Sequence, residues 1–296
     1  MYTTLITASE LAACINNPKV IVVDCRHDLM NLAAGADGYA TGHIPGAVFG
    51  AIETALSGAK HGADGRFRGR HPLPERTALL ATLCTWGVDD DSFVVAYDAH
   101  GGMFAARLWW LLRWLGHPAV AVLDGGLAAW QSQALPLTTD VPARPRGTIK
   151  ERAALVQTVS ADDVLANVLA NIGSSQLTVV DARAPERFRG ENETIDPVGG
   201  HIPGAKNRFF KDNLQLDGRF KDAAALKADF SALLADPARA VMQCGSGVTA
   251  CHNLLALEVA GMPGAALYPG SWSEWCADPA RPMVTGGAAG GGAAGV

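Results

Sequence analysis

The chain has 296 residues, of which 49% are hydrophobic and 18% charged, a composition that supplies a sizeable core and excludes a disordered chain. Its net charge of −5 comes without any run of Lys and Arg, which argues against a nucleic-acid partner or a polybasic membrane anchor. No window approaches the roughly 18 consecutive apolar residues of a membrane span, and Met1-Tyr-Thr-Thr-Leu-Ile lacks the basic-then-apolar build of a signal peptide, so a cytoplasmic protein without a membrane partner is expected.

At about 150 residues per domain two domains are expected, and the chain repeats itself once. In order, the first half shows Thr7-Ala-Ser-Glu10, a capping-box start to a helix; Val20-Ile-Val-Val-Asp-Cys-Arg26, a β-branched run ending in Asp-x-Arg; Gly42-His-Ile-Pro-Gly-Ala47; Asp64-Gly-Arg-Phe67; Phe93-Val-Val-Ala-Tyr-Asp98; and Leu123-Asp-Gly-Gly-Leu-Ala-Ala-Trp130. The second half answers with Ser160-Ala-Asp-Asp163, Leu177-Thr-Val-Val-Asp-Ala-Arg183, Gly200-His-Ile-Pro-Gly-Ala205, Asp217-Gly-Arg-Phe220, Ala240-Val-Met-Gln-Cys244 and Tyr268-Pro-Gly-Ser-Trp-Ser-Glu-Trp275. Strands alternating with helices predict α/β units around a mainly parallel sheet in each half. The first half carries an insertion before Asp98 that includes Arg68-Gly-Arg-His71-Pro-Leu-Pro74. The stretch from Gln133 to Lys150 is rich in Pro, Thr and Arg and lacks an apolar period. The expected organisation is therefore a domain over 1–135, a linker over 136–155, a second domain over 156–285 and a disordered Gly/Ala tail over 286–296.

Chemistry is visible where the two halves differ, at Asp98 against Cys244. The run Cys244-Gly-Ser-Gly-Val-Thr249 joins a strand to an apolar-periodic helix over Ala250 to Ala260. Inward-pointing amides of such a turn, with the positive end of the helix, favour a thiolate over a thiol. Gly245 and Gly247 allow the amides to converge and leave room for an atom added to sulfur. The plain alternative is a buried cysteine with Ser246 or Thr249 as helix cap. None of Cys14, Cys25, Cys84, Cys244, Cys251 and Cys276 forms a Cys-x2-Cys pair, so neither a zinc site nor a disulfide framework is expected. His43 and His201 recur in both halves and read as turn or core residues, Cys251 as a buried thiol without a resolving role, and Trp272, Trp275 and Phe210 as either pocket walls or packing.

The duplicated Gly-His-Ile-Pro-Gly-Ala, the strand-Cys-loop-helix and the Trp-containing last motif resemble the tandem-domain rhodanese-type sulfurtransferases over about residues 5 to 285. Within them the Cys-Gly-Ser-Gly-Val-Thr loop is similar to that of the 3-mercaptopyruvate sulfurtransferases; thiosulfate-using members place basic residues after the cysteine, where this chain has neutral Gly245 and Ser246. The resemblance implies two rhodanese-like domains, the first without a nucleophile. It implies a ping-pong reaction in which Cys244 takes sulfur from a small-molecule donor as a persulfide. The sulfur then passes to a thiol such as thioredoxin or a low-molecular-weight thiol, or to cyanide, with no metal or organic cofactor. It further implies that Ser246, His71 and Glu53 form a catalytic relay, with Glu53 where the family pattern has Asp, and that Arg187 and the loop residues Gly245, Gly247, Val248 and Thr249 bind the donor. His71 reads equally as an exposed loop residue and Arg187 as a surface arginine, while Arg183, repeated as Arg26, reads as structural. The family's second donor arginine, in the segment before Gly-His-Ile-Pro, has no counterpart in Glu191-Asn-Glu-Thr-Ile-Asp-Pro-Val-Gly199.

Three other functions compete. A cysteine phosphatase requires Cys-x5-Arg, and the sixth residue after Cys244 is Ala250, so that activity is disfavoured. A non-enzymatic persulfide carrier or redox sensor would share the reactive cysteine but not a donor-binding arginine. A thiosulfate:cyanide sulfurtransferase on the same scaffold is the nearest rival, favoured by the missing arginine and opposed by the neutral loop.

Overall fold

The computed structural model describes residues 2–170 and 177–287. Of the expected disordered tail, residues 288–296 lie outside the described residues.

In each half the β-branched runs become central strands of a parallel sheet. Val20–Asp24 (β2) pairs with Phe93–Tyr97 (β4) in register from Val20↔Phe93 to Asp24↔Tyr97. With Leu5–Ile6 (β1), Val48–Phe49 (β3) and Val120–Leu123 (β5), they form a five-stranded sheet in the order β1-β5-β4-β2-β3. The second sheet has the same layout: Gln157–Thr158 (β6), Ala266–Leu267 (β10), Ala240–Gln243 (β9), Thr178–Asp181 (β7) and Lys206–Asn207 (β8), in that order and all parallel. Every residue of β2 is buried, because helices cover both faces of a parallel sheet, and this is why the run is continuously apolar and does not alternate. The expected α/β fold of two rhodanese-like domains, each a parallel sheet flanked by helices, is what the chain adopts.

Local chemistry sets the same boundaries twice. Thr7 Oγ1 accepts from the Glu10 amide while Glu10 accepts from the Thr7 amide, and Ser160 and Asp163 do the same, so both capping boxes form. Arg26 forks onto Asp24 and donates to the Gly42 carbonyl at 2.7 Å; Arg183 forks onto Asp181 and donates to that of Gly200 at 2.6 Å. Each arginine thus ties a strand end to its Gly-His-Ile-Pro turn. His43 and His201 are buried in these turns, with Nδ1 of each 2.8 Å from the carbonyl of Tyr39 or Phe188.

The halves meet through the helices that follow β4 and β9, Ala105–Trp114 and Thr249–Val259. Residues Ala105–Leu112 and Ala250–Leu257 are all buried, as expected where a helix is enclosed on every side. One apolar cluster, including Trp109, Leu111, Leu254 and Leu255, runs through both halves. The loops at the carboxyl ends of β4 and β9, which carry Asp98 and Cys244, are thereby brought to the domain interface. Segment 136–155 forms no helix and is fastened along the first half: Thr148 and Lys150 bond to Asp89 and Asp90, and Ile149 is buried.

Candidate active site

The first domain shows what a loop of this kind binds. Asp98 is fully buried, and its carboxylate accepts four backbone N–H groups: His100 at 2.8 Å and Gly102 at 2.9 Å on Oδ1, Phe104 at 2.8 Å and Ala105 at 2.9 Å on Oδ2. The positive φ of Gly101 and Gly102, +70° and +91°, turns these amides inward. The turn and the start of the helix therefore make an anion cradle, filled by the chain's own carboxylate.

Cys244 takes the matching place in the second domain, buried at the end of β9. Its amide donates to Ser271 Oγ at 3.1 Å and its carbonyl accepts from the Trp272 amide at 2.9 Å. Gly247 has φ +76°, and a Cβ there would lie 2.3 Å from the Pro269 carbonyl oxygen, so no larger residue fits. Val248 caps the helix without a side-chain bond, so neither Ser246 nor Thr249 serves as its cap.

Ser246 instead reaches the first domain. Its hydroxyl lies 2.7 Å from His71 Nδ1, and His71 Nε2 lies 2.8 Å from Glu53 Oε1. His71 is 3% exposed and so is not a solvated loop residue. Burial pulls its pKa down to about 4, although the hydrogen bond and charge of Glu53 act upward. Burial pushes the Glu53 carboxyl up, but the His71 bond and the charges of His71 and Lys60 outweigh it and leave its pKa lowered. At neutral pH this assigns an ionised Glu53 accepting from Nε2–H, which leaves Nδ1 to accept from the Ser246 hydroxyl.

Arg107, from the first domain's interface helix, holds these parts in register and has no exposed surface. It donates to the Gly247 carbonyl at 3.1 Å on one side and to those of His71 and Pro72 at 3.0 and 3.2 Å on the other. Sequence reasoning passed over it, although a lone cation within Ala105-Ala-Arg-Leu-Trp-Trp-Leu-Leu112 is a visible signal of a buried charge with dedicated acceptors.

Arg187 stands beside the loop, its Nη2 and Nη1 3.6 and 3.8 Å from where a Cβ on Gly245 would be. Glu193 grips its Nε and Nη2, and Asp196 also accepts from Nη2. The segment that lacks the second arginine thus supplies carboxylates. Trp272 and Trp275 are fully buried, their indole N–H groups bonded to the Val198 and Pro282 carbonyls; of the two readings open for them, they are core residues. Phe210 is 7% exposed and joins the same core as Cys244. Cys251 is buried, its thiol donating to the Gly247 carbonyl at 3.3 Å.

Two parallel α/β domains with a cysteine at the strand end that matches the buried Asp98 of the other define a class of duplicated cysteine-loop proteins. The sequence model of the Rhodanese-like domain family matches residues 7–133 and 164–278, and the chain belongs to that family. It is 48% identical over 286 residues to a probable 3-mercaptopyruvate sulfurtransferase of Pseudomonas aeruginosa, covering 95% of this chain and 98% of the relative. It is 41% identical over 293 residues to the putative thiosulfate sulfurtransferase SseB of Mycobacterium tuberculosis, covering 95% and 97%. The crystal structure of SseA from Escherichia coli, a 3-mercaptopyruvate sulfotransferase, superposes with a TM-score of 0.78 at 32% identity, covering 92% of this chain and all of that one. Among the described residues no helix is long and apolar enough to cross a membrane.

Proposed function

We propose that the protein is a 3-mercaptopyruvate sulfurtransferase that works through a persulfide on Cys244. The observation that carries this reading is the cradle around Asp98: four amides converge on an anion in the first domain, and the equivalent position of the second holds a thiol able to become one. The Cys244 thiolate attacks the donor's sulfur; an S–S bond forms as the C–S bond breaks, and the electron pair leaves as pyruvate enolate. The donor's thiol proton passes through Ser246 and His71 to that enolate, which becomes pyruvate. A thiol or cyanide then attacks the outer sulfur and returns the S–S electron pair to Cys244. The cradle serves thiolate and persulfide alike, so it needs no rearrangement between half-reactions. Gly245, Gly247, Val248 and Thr249 line the donor site, and Arg187 binds the donor carboxylate. A cytoplasmic location and a thioredoxin-like or low-molecular-weight thiol acceptor fit this chemistry.

The identity with a mycobacterial relative bearing a thiosulfate name keeps thiosulfate as the second reading. The deciding experiment is thiocyanate formation from cyanide with each donor. A kcat/KM at least about a hundredfold higher for 3-mercaptopyruvate is expected, roughly 2.7 kcal/mol of transition-state discrimination; a preference for thiosulfate would overturn the donor assignment. Cys244→Ser is expected to keep its circular dichroism and lose transfer from both donors, and retained turnover would remove the persulfide mechanism altogether.

A further inference from the structure

Arg107 is a fully buried cation whose acceptors are all neutral carbonyls: Gly247, His71, Pro72 and, at 3.5 Å, Leu56. Among the described residues no carboxylate pairs with it. The guanidinium groups nearer the mouth of the loop differ, since Arg70 is bonded to Asp196, and Arg187 to Asp196 and Glu193. A charge enclosed without an anion is strongly unfavourable. The groups that favour its charge are two sulfur atoms: burial pulls the Arg107 pKa down, while Cys251 and Cys244 act upward. Burial pushes the Cys251 thiol up to about 12, which keeps it neutral and leaves Cys244. His71, whose carbonyl Arg107 holds, is kept neutral above about pH 4, mainly by burial.

The repeat supplies a control. Arg107 stands nine residues after Asp98, and the residue nine after Cys244 is the neutral Asn253. In the first domain's loop the Gly101 carbonyl lies 2.9 Å from Nε2 of His252, a ring that burial also keeps neutral, and the Gly102 amide of the same peptide donates to Asp98. The matching peptide of the second domain runs from the Gly247 carbonyl, held by Arg107 Nη1 at 3.1 Å, to the Val248 amide. A cation from the opposite domain therefore backs the cysteine loop and not its carboxylate counterpart.

We propose that Arg107 is a positioning residue for sulfur transfer: the buried counter-charge that keeps the Cys244 sulfur anionic, acting through the Gly247–Val248 peptide. The proposal deepens the persulfide reading and rests on it. A cation on a peptide carbonyl polarises that peptide and strengthens the hydrogen bond its N–H gives. A carboxylate divides four N–H groups between two oxygens, whereas sulfur is a weak acceptor and depends more on charge. Thiolate and persulfide each carry one negative charge, so the same fixed cation offsets the site before sulfur arrives and after it leaves.

The test follows alkylation of Cys244 by iodoacetamide against pH, after cyanide has stripped any persulfide, with the modified peptide measured by mass spectrometry and Cys244→Ser as blank. Wild type is compared with Arg107→Gln, Arg107→Met and Arg107→Lys, each checked by circular dichroism. Gln keeps a donor for the carbonyls but loses the charge, Met loses both, and Lys keeps the charge but loses the fork. The alkylation profiles of Arg107→Gln and Arg107→Met are expected to move up by about one to two pH units, a tenfold to hundredfold slower reaction on the rising limb, with Arg107→Lys within about half a unit of wild type. Loss of hydrogen bonds alone would weaken the fold without this charge-dependent order. Neutral variants whose profiles coincide with wild type, or an Arg107→Lys profile displaced as far as theirs, would overturn the proposal and leave the persulfide reading intact. A wild-type Cys244 that gains no sulfur from either 3-mercaptopyruvate or thiosulfate would overturn that reading, and the proposal with it.

Discussion

The cradle around Asp98 allows the anion-binding argument to be tested apart from catalysis. The carboxylate is fully buried and accepts four N–H groups at 2.8–2.9 Å. A hydrogen bond to a charged group contributes about 1.5–3 kcal/mol, so losing four of them sets an upper range of roughly 6–12 kcal/mol. Water entering the loop would restore part of this, and Asp98→Ala is expected to cost about 4–6 kcal/mol. The informative variant is Asp98→Asn, which keeps size and polarity but turns one oxygen into an NH2 group facing the Phe104 and Ala105 amides or those of His100 and Gly102. Donor against donor gives no rescue, so Asn should cost at least about 3 kcal/mol. Unfolding would be followed by circular dichroism in urea and by calorimetry, where each kcal/mol corresponds to a fall in Tm of roughly 2–4 °C. An Asn variant within 1 kcal/mol of wild type would refute the reasoning, because a site built for an anion cannot tolerate the neutral isostere.

Arg107→Met removes a donor from the His71, Pro72 and Gly247 carbonyls, of which Pro72 and Gly247 keep a bond from the Gly58 amide and the Cys251 thiol, and should cost about 1–3 kcal/mol in urea unfolding; no measurable loss would mean that the interface satisfies the His71 carbonyl otherwise. Glu53→Gln removes the anion that fixes the His71 tautomer and should lower kcat with 3-mercaptopyruvate roughly tenfold to a hundredfold, with cyanide discharge of preformed persulfide unchanged; equal loss in both half-reactions would take Glu53 out of the relay. Burial lowers the pKa of both His71 and His252, the latter enclosed in the second domain's interface helix with Nε2 2.9 Å from the Gly101 carbonyl, from 6.5 to about 4. Between these values the unfolded chain binds protons that the folded chain does not, so stability is full above about pH 6.5 and falls as pH drops toward 4. Between pH 7 and 5 each histidine should cost about 2 kcal/mol. His252→Asn should flatten this slope measurably, and an unaltered slope would contradict the assignment. The same titration of His71 predicts an acidic limb in kcat near pH 4, since a protonated Nδ1 cannot accept from Ser246.

The repeat made much of the fold legible. Both capping boxes, the Asp-x-Arg strand ends and the two Trp-bearing last motifs depend on residues within a few positions of one another, and each appears where its motif stands. The contrast between Asp98 and Cys244 was equally readable, since a duplicated chain carries its own control. Trp272 and Trp275 were left open because a tryptophan after a turn serves a pocket wall or a core with the same letters, and only their neighbours decide.

Sequence alone therefore determined two α/β repeats, the cysteine-bearing turn and the residue types around it, all of which follow from short-range patterns of hydrophobicity, capping and turn chemistry. Tertiary structure decided which residues from the first domain meet that turn. His71 and Arg107 are separated from Cys244 by more than a hundred positions, and nothing local encodes the packing of two enclosed helices that brings them together. Ser246 shows the difference most clearly: it stands two residues after the nucleophile in sequence, but its hydrogen-bonded partner His71, and Glu53 behind it, come from the other domain.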